Sequence, residues 1–230
     1  MSTSPRRALI VIDVQNEYVD GRLLIEHPAV QDSLAAIGRA MDAATAHGVP
    51  VVVVQNTAPA GSPLFARDSH GWQLHPAVAD RQRDHHMEKR LPSAYAGTDL
   101  AEWLQKHEID TLAVCGYMTH NCVDSTVKHA LHNGTAVEVL HDAIGAVPYA
   151  NRCGSASAAE IHRAFCVVMQ SRFAAVMTAD EWVQVLQGRR QPERDTIFGS
   201  NQRALAERVV RSNPAEPPER RGHSAATVSP

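Results

Sequence analysis

The chain contains 230 residues, of which 44% are hydrophobic and 20% are charged, so its composition is that of a globular protein rather than a disordered one. Its formal charge of −3 argues against nucleic acid and against an anionic membrane surface as partners. No apolar stretch approaches the length of a membrane span, and the chain length fits one domain of ordinary size.

The cysteines and the first apolar run indicate the compartment. The four cysteines are Cys115, Cys122, Cys153 and Cys166, and they show no CxxC spacing. The first apolar run is too short for the core of a secretory signal. We therefore expect reduced thiols and a cytoplasmic location, because disulfides persist mainly in oxidising compartments.

The first predicted strand ends at an acidic residue. Ala8 to Ile12 form a continuous apolar run, typical of a parallel strand that is buried on both faces, and Asp13 ends it. The carboxyl ends of parallel strands line the ligand crevice of open α/β sheets, so Asp13 is a candidate functional residue. The alternative is an aspartate that only forms a turn.

A strand–helix–strand unit is predicted next. Residues 28–47 carry apolar side chains at helical spacing, and residues 51–54 form a second buried strand, which together favour a right-handed parallel unit. Residues 56–84 show no periodicity, and a loop of this length is often functional. A short strand then ends at Lys89, which is either a second strand-end functional residue or an ordinary surface charge.

The stretch from Asp110 to Gly134 places a cysteine at a strand-to-helix junction. Thr111 begins a strand-length apolar run, Gly116 ends it, and helical spacing begins at Cys122. The N–H groups and the positive dipole end of a helix N-terminus lower a thiol pKa and could hold an oxyanion. The alternative is that Cys122 is a small buried hydrophobic residue.

The second half of the domain adds two strands and two capped helices. Residues 135–140 and 173–177 are predicted strands. The segments Ser157–Glu160 and Thr178–Glu181 are capping boxes, and each predicts the start of a helix.

The composition changes after Gly188, where Arg, Pro, Ser and Glu become frequent. We therefore predict one domain over residues 8–188, followed by a polar and largely disordered tail over residues 189–230. Within that tail, residues 204–210 show weak helical character.

The sequence contains no pattern typical of a cofactor or metal site. It lacks the GxGxxG dinucleotide fingerprint and the Walker motif. Its 13 histidines include no HExxH spacing, and the adjacent His85 and His86 would face opposite sides of a strand. We therefore predict no cofactor and no bound metal.

Three separated motifs resemble those of one known family. They are IDVQNEY near the start, EKRLPSAYAGTDL around Lys89, and VCGYMTHNCVDSTVKHA around Cys122. In this order they resemble the isochorismatase-like cysteine hydrolases, which include nicotinamidases, N-carbamoylsarcosine amidase and ureidoacrylate amidase. The resemblance extends from about Ala8 to Leu186.

The resemblance implies an α/β fold with a doubly wound sheet of six parallel strands and helices on both faces. It also implies a triad, in which Asp13 is the general base, Lys89 is the lysine and Cys122 is the nucleophile. A cis peptide bond without proline is expected between Tyr117 and Met118. The backbone N–H groups of Met118 and Cys122 would then form an oxyanion hole.

The implied reaction is hydrolysis of a C–N bond in a small amide, ureido or carbamoyl compound, with water as the second reactant and a thioester intermediate. Branches that act on isochorismate lack the cysteine, so Cys122 favours an amide over a vinyl ether. A vinyl-ether hydrolase and a non-catalytic binding protein on the same fold are the alternatives. The resemblance also implies a homo-oligomer.

The metal-binding motif of one branch of the family is missing from this chain, and the motifs define the residues of the substrate pocket less clearly than those of the triad. Metal-dependent nicotinamidases carry an Asp-x-His motif where this chain has residues 55–58, QNTA, so neither that activity nor its metal is implied. The candidates for substrate binding are Tyr18, Trp72, Tyr95, Tyr117 and Asn121, although an aromatic residue beside a motif is often only packed in the core.

Overall fold

The computed structural model describes residues 5–212, with side chains up to residue 208. The strands are β1 Arg7–Ile12, β2 Val51–Asn56, β3 His85–Lys89, β4 Thr111–Tyr117, β5 Ala136–Gly145, β6 Tyr149–Asn151, β7 Gly154–Ala156 and β8 Ala175–Met177. Six of them form a parallel sheet in the order β3-β2-β1-β4-β5-β8, and β6 and β7 form a separate hairpin. The chain reverses its direction of winding between β1 and β4, where a ligand crevice is expected beyond the carboxyl ends.

Helices cover both faces of this sheet. They are α1 Val30–Ala46, α2 Pro76–Ala79, α3 Leu100–Lys106, α4 Asp124–His132, α5 Ala158–Val168 and α6 Ala179–Leu186. A further helix, α7 Ile197–Ser212, belongs to a second unit. One apolar cluster packs α1 and α6 against one face, and a second packs α3 and α4 against the other. Within β1, Leu9 and Val11 face the first cluster while Ala8 and Ile10 face the second. The doubly wound six-stranded sheet is therefore confirmed.

Gly116 allows β1 and β4 to approach closely. Its φ of +106° lies in a region that residues with a Cβ rarely adopt. A Cβ on Gly116 would lie 2.1 Å from the carbonyl oxygen of Ile12, its partner in the sheet. The close approach brings Asp13, the residue after Ile12, next to the end of β4.

The amino ends of the strands are linked by a buried ion pair. The guanidinium of Arg7 in β1 donates to Oε1 of Glu138 in β5 at 2.9 Å. The indole N–H of Trp182 in α6 donates to Oε2 of the same carboxylate at 2.8 Å. This network joins two strands and a helix at the end of the sheet opposite to the ligand crevice.

Three local predictions need correction. β5 continues to Gly145 because it pairs again with β4 beyond an irregularity in register, and the hairpin β6–β7 lies in residues 149–156, where the sequence predicts no strand. Cys122 lies in a π-helical turn, Thr119–Val123, rather than at the first residue of an α-helix. None of these three features has a local sequence period that would reveal it.

The segment predicted to be disordered is partly ordered. Residues 189–196 belong to the main domain, where Arg190 forms an ion pair with Glu181. Ile197–Ser212 form the helix α7, which belongs to a second unit and is longer than the weakly helical residues 204–210 of the sequence, because this stretch is rich in residues that favour helix. The remaining tail, residues 213–230, lies outside the described residues. Across the described part of the chain, no helix combines the length and apolar character needed to cross a membrane.

Candidate active site

The three strand-end residues that the sequence singles out lie together at the carboxyl edge of the sheet. Asp13 follows β1, Lys89 is the last residue of β3, and Cys122 lies in the π-helical turn after β4. Nζ of Lys89 lies 2.7 Å from Oδ2 of Asp13 and donates a hydrogen bond to Sγ of Cys122 at 3.2 Å. The ammonium thus contacts both the carboxylate and the sulfur, and we call these three residues the contact group.

Burial sets the electrostatics of the contact group. The side chains of Asp13 and Lys89 are completely buried. Burial raises the pKa of Asp13, and the charge of Lys89 offsets only part of that effect. Burial alone would lower the pKa of Lys89, but the negative charge of Asp13 and the hydrogen bonds to Asp13 and Cys122 outweigh it and raise that pKa. Lys89 therefore stays positive and compensates one negative charge in the group.

The Cys122 thiol is less acidic than the sequence predicts. Burial, together with the nearby charge of Asp13, raises the pKa of Cys122 to about 12, although Lys89 acts in the opposite direction. The prediction of a lowered thiol pKa is therefore wrong, because the helix N-terminus does not compensate for the loss of solvent around the sulfur. A thiol of this kind needs a base to remove its proton, and Asp13 is the nearby carboxylate.

The backbone around the contact group has two uncommon conformations. The peptide bond between Tyr117 and Met118 is cis, which confirms the expectation from the family resemblance. Asp13 has a φ of +52°, which is uncommon for a residue other than glycine and recurs at functional sites. Both lie directly after strands that end at the crevice.

Two side chains hold the turn that carries Cys122. The hydroxyl of Thr126 donates to the carbonyl oxygen of Cys122 at 2.7 Å and accepts the N–H of Ala94 at 3.0 Å. The hydroxyl of Thr119 lies 3.1 Å from Nδ1 of His162 in α5. Burial and the neighbouring histidines lower the pKa of His162 to about 4, so this ring is neutral near pH 7.

A cavity of about 370 Å³ lies beside the sulfur. Lys89 and Cys122 line it, and the remaining lining residues are Tyr18, Leu23, Asn56, Leu64, Phe65, Arg90, Leu91, Pro92, Met118, Asn121 and Tyr149. Two larger cavities, of about 460 and 550 Å³, touch no member of the contact group. Proximity to reactive groups, rather than size, therefore makes this cavity the candidate substrate pocket.

Only two of the five predicted pocket residues, Tyr18 and Asn121, line this cavity. Trp72 donates its indole N–H to Thr57, and its carbonyl accepts the side-chain amides of Gln15 and Gln55, so it anchors the long loop. It does not reach the cavity, and the prediction for Trp72 is corrected.

The other two aromatic candidates are core residues. Tyr95 stacks on His129 with ring centroids 4.7 Å apart and is 8% exposed. Tyr117 is fully buried, and its hydroxyl lies 2.7 Å from the hydroxyl of Ser33 in α1. Tyr117 packs in the core on one side of the sheet and Tyr95 packs in the core on the other side. The predictions that Tyr95 and Tyr117 bind substrate are therefore also corrected.

The sequence analysis missed several lining residues. Tyr149 begins the hairpin strand β6, and Arg90 and Leu91 directly follow Lys89. Nothing in the sequence points to Tyr149 as a pocket residue, because its segment shows neither a periodic hydrophobic pattern nor a motif. Arg90 lies next to a predicted functional residue, and that adjacency was the signal that could have identified it.

The sequence of this domain also matches the model of a known family. The sequence model described as "Isochorismatase domain" matches residues 7–181, which include the whole contact group. This chain belongs to the isochorismatase family. The match covers most of the main domain and ends within α6.

Individual members of the isochorismatase family, both solved structures and curated sequences, are also similar to this chain. A crystal structure of a candidate isochorismatase from Burkholderia xenovorans LB400 is 66% identical, with a TM-score of 0.89, and covers 90% of this chain and 100% of that one. Escherichia coli nicotinamidase is 29% identical over 60% of this chain and 82% of its own. The Arthrobacter N-carbamoylsarcosine amidase is 28% identical over 61% and 60%. This chain is therefore a hydrolase of a family with amidase members.

The residues do not fit the metal that some isochorismatase relatives are expected to carry. At the end of β2, Gln55 donates to the carbonyl of Trp72 and its Oε1 lies 3.1 Å from Nε2 of His86, so its side chain is already engaged. Within residues 5–212, no group of three or more His, Cys, Asp or Glu side chains is arranged to hold a metal ion.

Proposed function

We propose that this protein hydrolyses a C–N bond of a small amide, ureido or carbamoyl compound through a thioester on Cys122. The observation that supports this proposal best is the contact group, in which Lys89 contacts both Asp13 and Cys122 beside the cavity. Two relatives named nicotinamidase and N-carbamoylsarcosine amidase add support for an amide substrate.

In the first half-reaction, Sγ of Cys122 attacks the carbonyl carbon while Asp13 takes the thiol proton. A base is needed because a pKa of about 12 keeps this thiol protonated near pH 7. The N–H groups of Met118 and Cys122 act as donors to the oxyanion, and Lys89 compensates the added negative charge. Asp13 then gives the proton to the leaving nitrogen as the C–N bond breaks.

In the second half-reaction, water attacks the thioester carbon. Asp13 takes one proton from the water and passes it to the departing sulfur of Cys122, which restores the thiol. The sum is one amide and one water converted into one carboxylic acid and one amine or ammonia. Lys89 keeps its proton throughout, because its pKa is raised by the two groups that it contacts.

We further propose that the protein acts in the cytoplasm as a homo-oligomer. All four cysteines are free thiols, which supports a reducing compartment. The oligomer is inferred from the family resemblance, and light scattering coupled to size-exclusion chromatography would measure it. We propose the amide substrate and water as its partners, with neither nucleic acid nor membrane among them.

A substrate panel tests the proposed reaction. The purified protein is incubated with small amides, ureido acids, carbamoyl compounds and isochorismate, and both ammonia and pyruvate are measured. We expect ammonia from one or more C–N compounds, together with a transient acyl adduct on the peptide that contains Cys122. Release of pyruvate from isochorismate without hydrolysis of any amide would overturn the proposal in favour of a vinyl-ether hydrolase.

A further inference from the structure

The charges around the candidate substrate pocket are unbalanced. Among its described lining residues, only Lys89 and Arg90 carry formal charges, and both are positive. The pocket wall otherwise contains apolar, tyrosine and asparagine side chains, with no aspartate or glutamate among them. A ligand in this cavity therefore meets positive charge without a competing carboxylate on the wall.

The two cations differ in their partners. Lys89 is neutralised at 2.7 Å by the buried Asp13, behind the cavity surface. Arg90 is exposed, and no ion pair within the described part of the chain includes it. Arg67 on the long loop is unlike Arg90, because it is paired with Glu88. The guanidinium of Arg90 is thus the cation of this cavity that a ligand can pair with.

We propose that Arg90 binds an anionic group of the substrate, which makes the substrate a small amide, ureido or carbamoyl compound that also carries a carboxylate. This inference rests on the proposed function and narrows its substrate class. A guanidinium offers two parallel N–H donors that match a carboxylate. The reacting carbonyl then lies at Cys122, and the carboxylate lies at the rim of the cavity beside Arg90.

The test uses two alkylating reagents of similar size and different charge. Iodoacetate is an anion and iodoacetamide is neutral, and each forms a C–S bond with a cysteine thiolate as its C–I bond breaks and iodide leaves. Mass spectrometry gives the ratio of the iodoacetate rate to the iodoacetamide rate at Cys122. The exposed Cys153 supplies the same ratio away from the pocket in the same sample.

We expect the ratio at Cys122 to exceed the ratio at Cys153 and to fall about fivefold in an Arg90→Gln variant. An Arg22→Gln variant is the matched control, because Arg22 is an exposed arginine that lines a neighbouring cavity instead. That control should keep the wild-type ratio. A ratio at Cys122 that is unchanged by Arg90→Gln, or lowered equally by both variants, would overturn the inference.

The same data separate this inference from the proposed function. If amides are hydrolysed while the alkylation ratio does not depend on Arg90, the reaction stands and the anionic substrate class is wrong. If the ratio depends on Arg90 while no amide is hydrolysed, the anion site stands and the proposed reaction is wrong. A Cys122 that reacts with neither reagent would contradict both.

Discussion

Cys122 is a buried, protonated thiol rather than the acidic thiol that its position in the sequence predicts. The end of a helix dipole is worth about 0.3–1 kcal/mol at an exposed site, whereas burying an ion costs several kcal/mol. Burial and Asp13 therefore outweigh the helix end and raise the pKa of Cys122. The consequence is that reactivity depends on Asp13 as a base.

The pH profile tests this dependence on Asp13. Burial raises the pKa of Asp13 above 3.8, so kcat/KM should fall on the acid side as the pH drops through that raised value and the base becomes protonated. No alkaline limb from Cys122 is expected near neutral pH. An Asp13→Asn variant should lose about a thousandfold in kcat/KM, within the range typical of general base catalysis.

The matched control is Asp20→Asn, which changes an exposed aspartate outside the contact group and should leave the profile unchanged. An Asp13→Asn variant that keeps the wild-type acid limb would show that another group is the base.

Among single residues, the sequence predicted the contact group better than the pocket wall. Asp13, Lys89 and Cys122 each follow or end a strand, and parallel strands bring such positions together. Tyr95 and Tyr117 have the same local surroundings as a wall residue, and only the tertiary contacts with His129 and Ser33 show that they are packed in the core.

At the scale of elements, the turn between β4 and α4 holds the nucleophile in place. The hydroxyl of Thr126 donates to the carbonyl oxygen of Cys122 in this turn and accepts the N–H of Ala94. Ala94 lies in the segment that follows Lys89. One buried hydroxyl therefore joins the two segments that supply the sulfur and the ammonium.

A Thr126→Val variant tests this link. Valine keeps the shape but leaves the N–H of Ala94 without its partner, which should cost about 2 kcal/mol in the free energy of unfolding. It should also lower kcat about tenfold with little change in KM, because the sulfur is less well positioned. Denaturant titration and steady-state kinetics measure the two effects.

Thr126→Ser is the conservative control, since it retains the hydroxyl and should restore kcat. If valine and serine lower kcat equally, the hydroxyl is not what positions Cys122.

The elements were predictable where the sequence has a local period or a capping box. The boxes at Ser157 and Thr178 form as expected, and each opens a helix. The extension of β5 depends on pairing with β4, which is distant in sequence, and the hairpin β6–β7 depends on a tight reversal of the chain. Neither produces a periodic hydrophobic pattern in the sequence. The helix Ile197–Ser212 is longer than the sequence predicts, because the polar composition of this stretch masks its helix propensity.

At the scale of the whole molecule, one end of the sheet carries the candidate active site and the other end carries a stabilising ion pair. The carboxyl end carries the contact group, while the amino end carries the buried pair of Arg7 and Glu138 with Trp182. Because these sites share no residue, the stability of the domain and the chemistry of the pocket should respond separately to mutation.

A Glu138→Gln variant tests this separation. It leaves the guanidinium of Arg7 largely buried without its counter-charge, so the free energy of unfolding should fall by about 3 kcal/mol. The activity per folded molecule should be unchanged. Chemical denaturation and kinetics at low temperature measure both quantities.

The control is Glu108→Gln, because the pair of Glu108 and Arg6 is exposed and should contribute less than about 1 kcal/mol. Equal destabilisation by the two variants would contradict a special role for the buried pair.

The most direct measurement is the rate of amide hydrolysis by a Cys122→Ala variant, compared with Cys153→Ala as a matched control at an exposed cysteine. The fold of both variants is checked by circular dichroism and thermal melting. We expect Cys122→Ala to lose at least about a thousandfold in kcat while Cys153→Ala keeps the wild-type rate. A folded Cys122→Ala variant that hydrolyses the amide at the wild-type rate would contradict the proposal that this sulfur is the nucleophile.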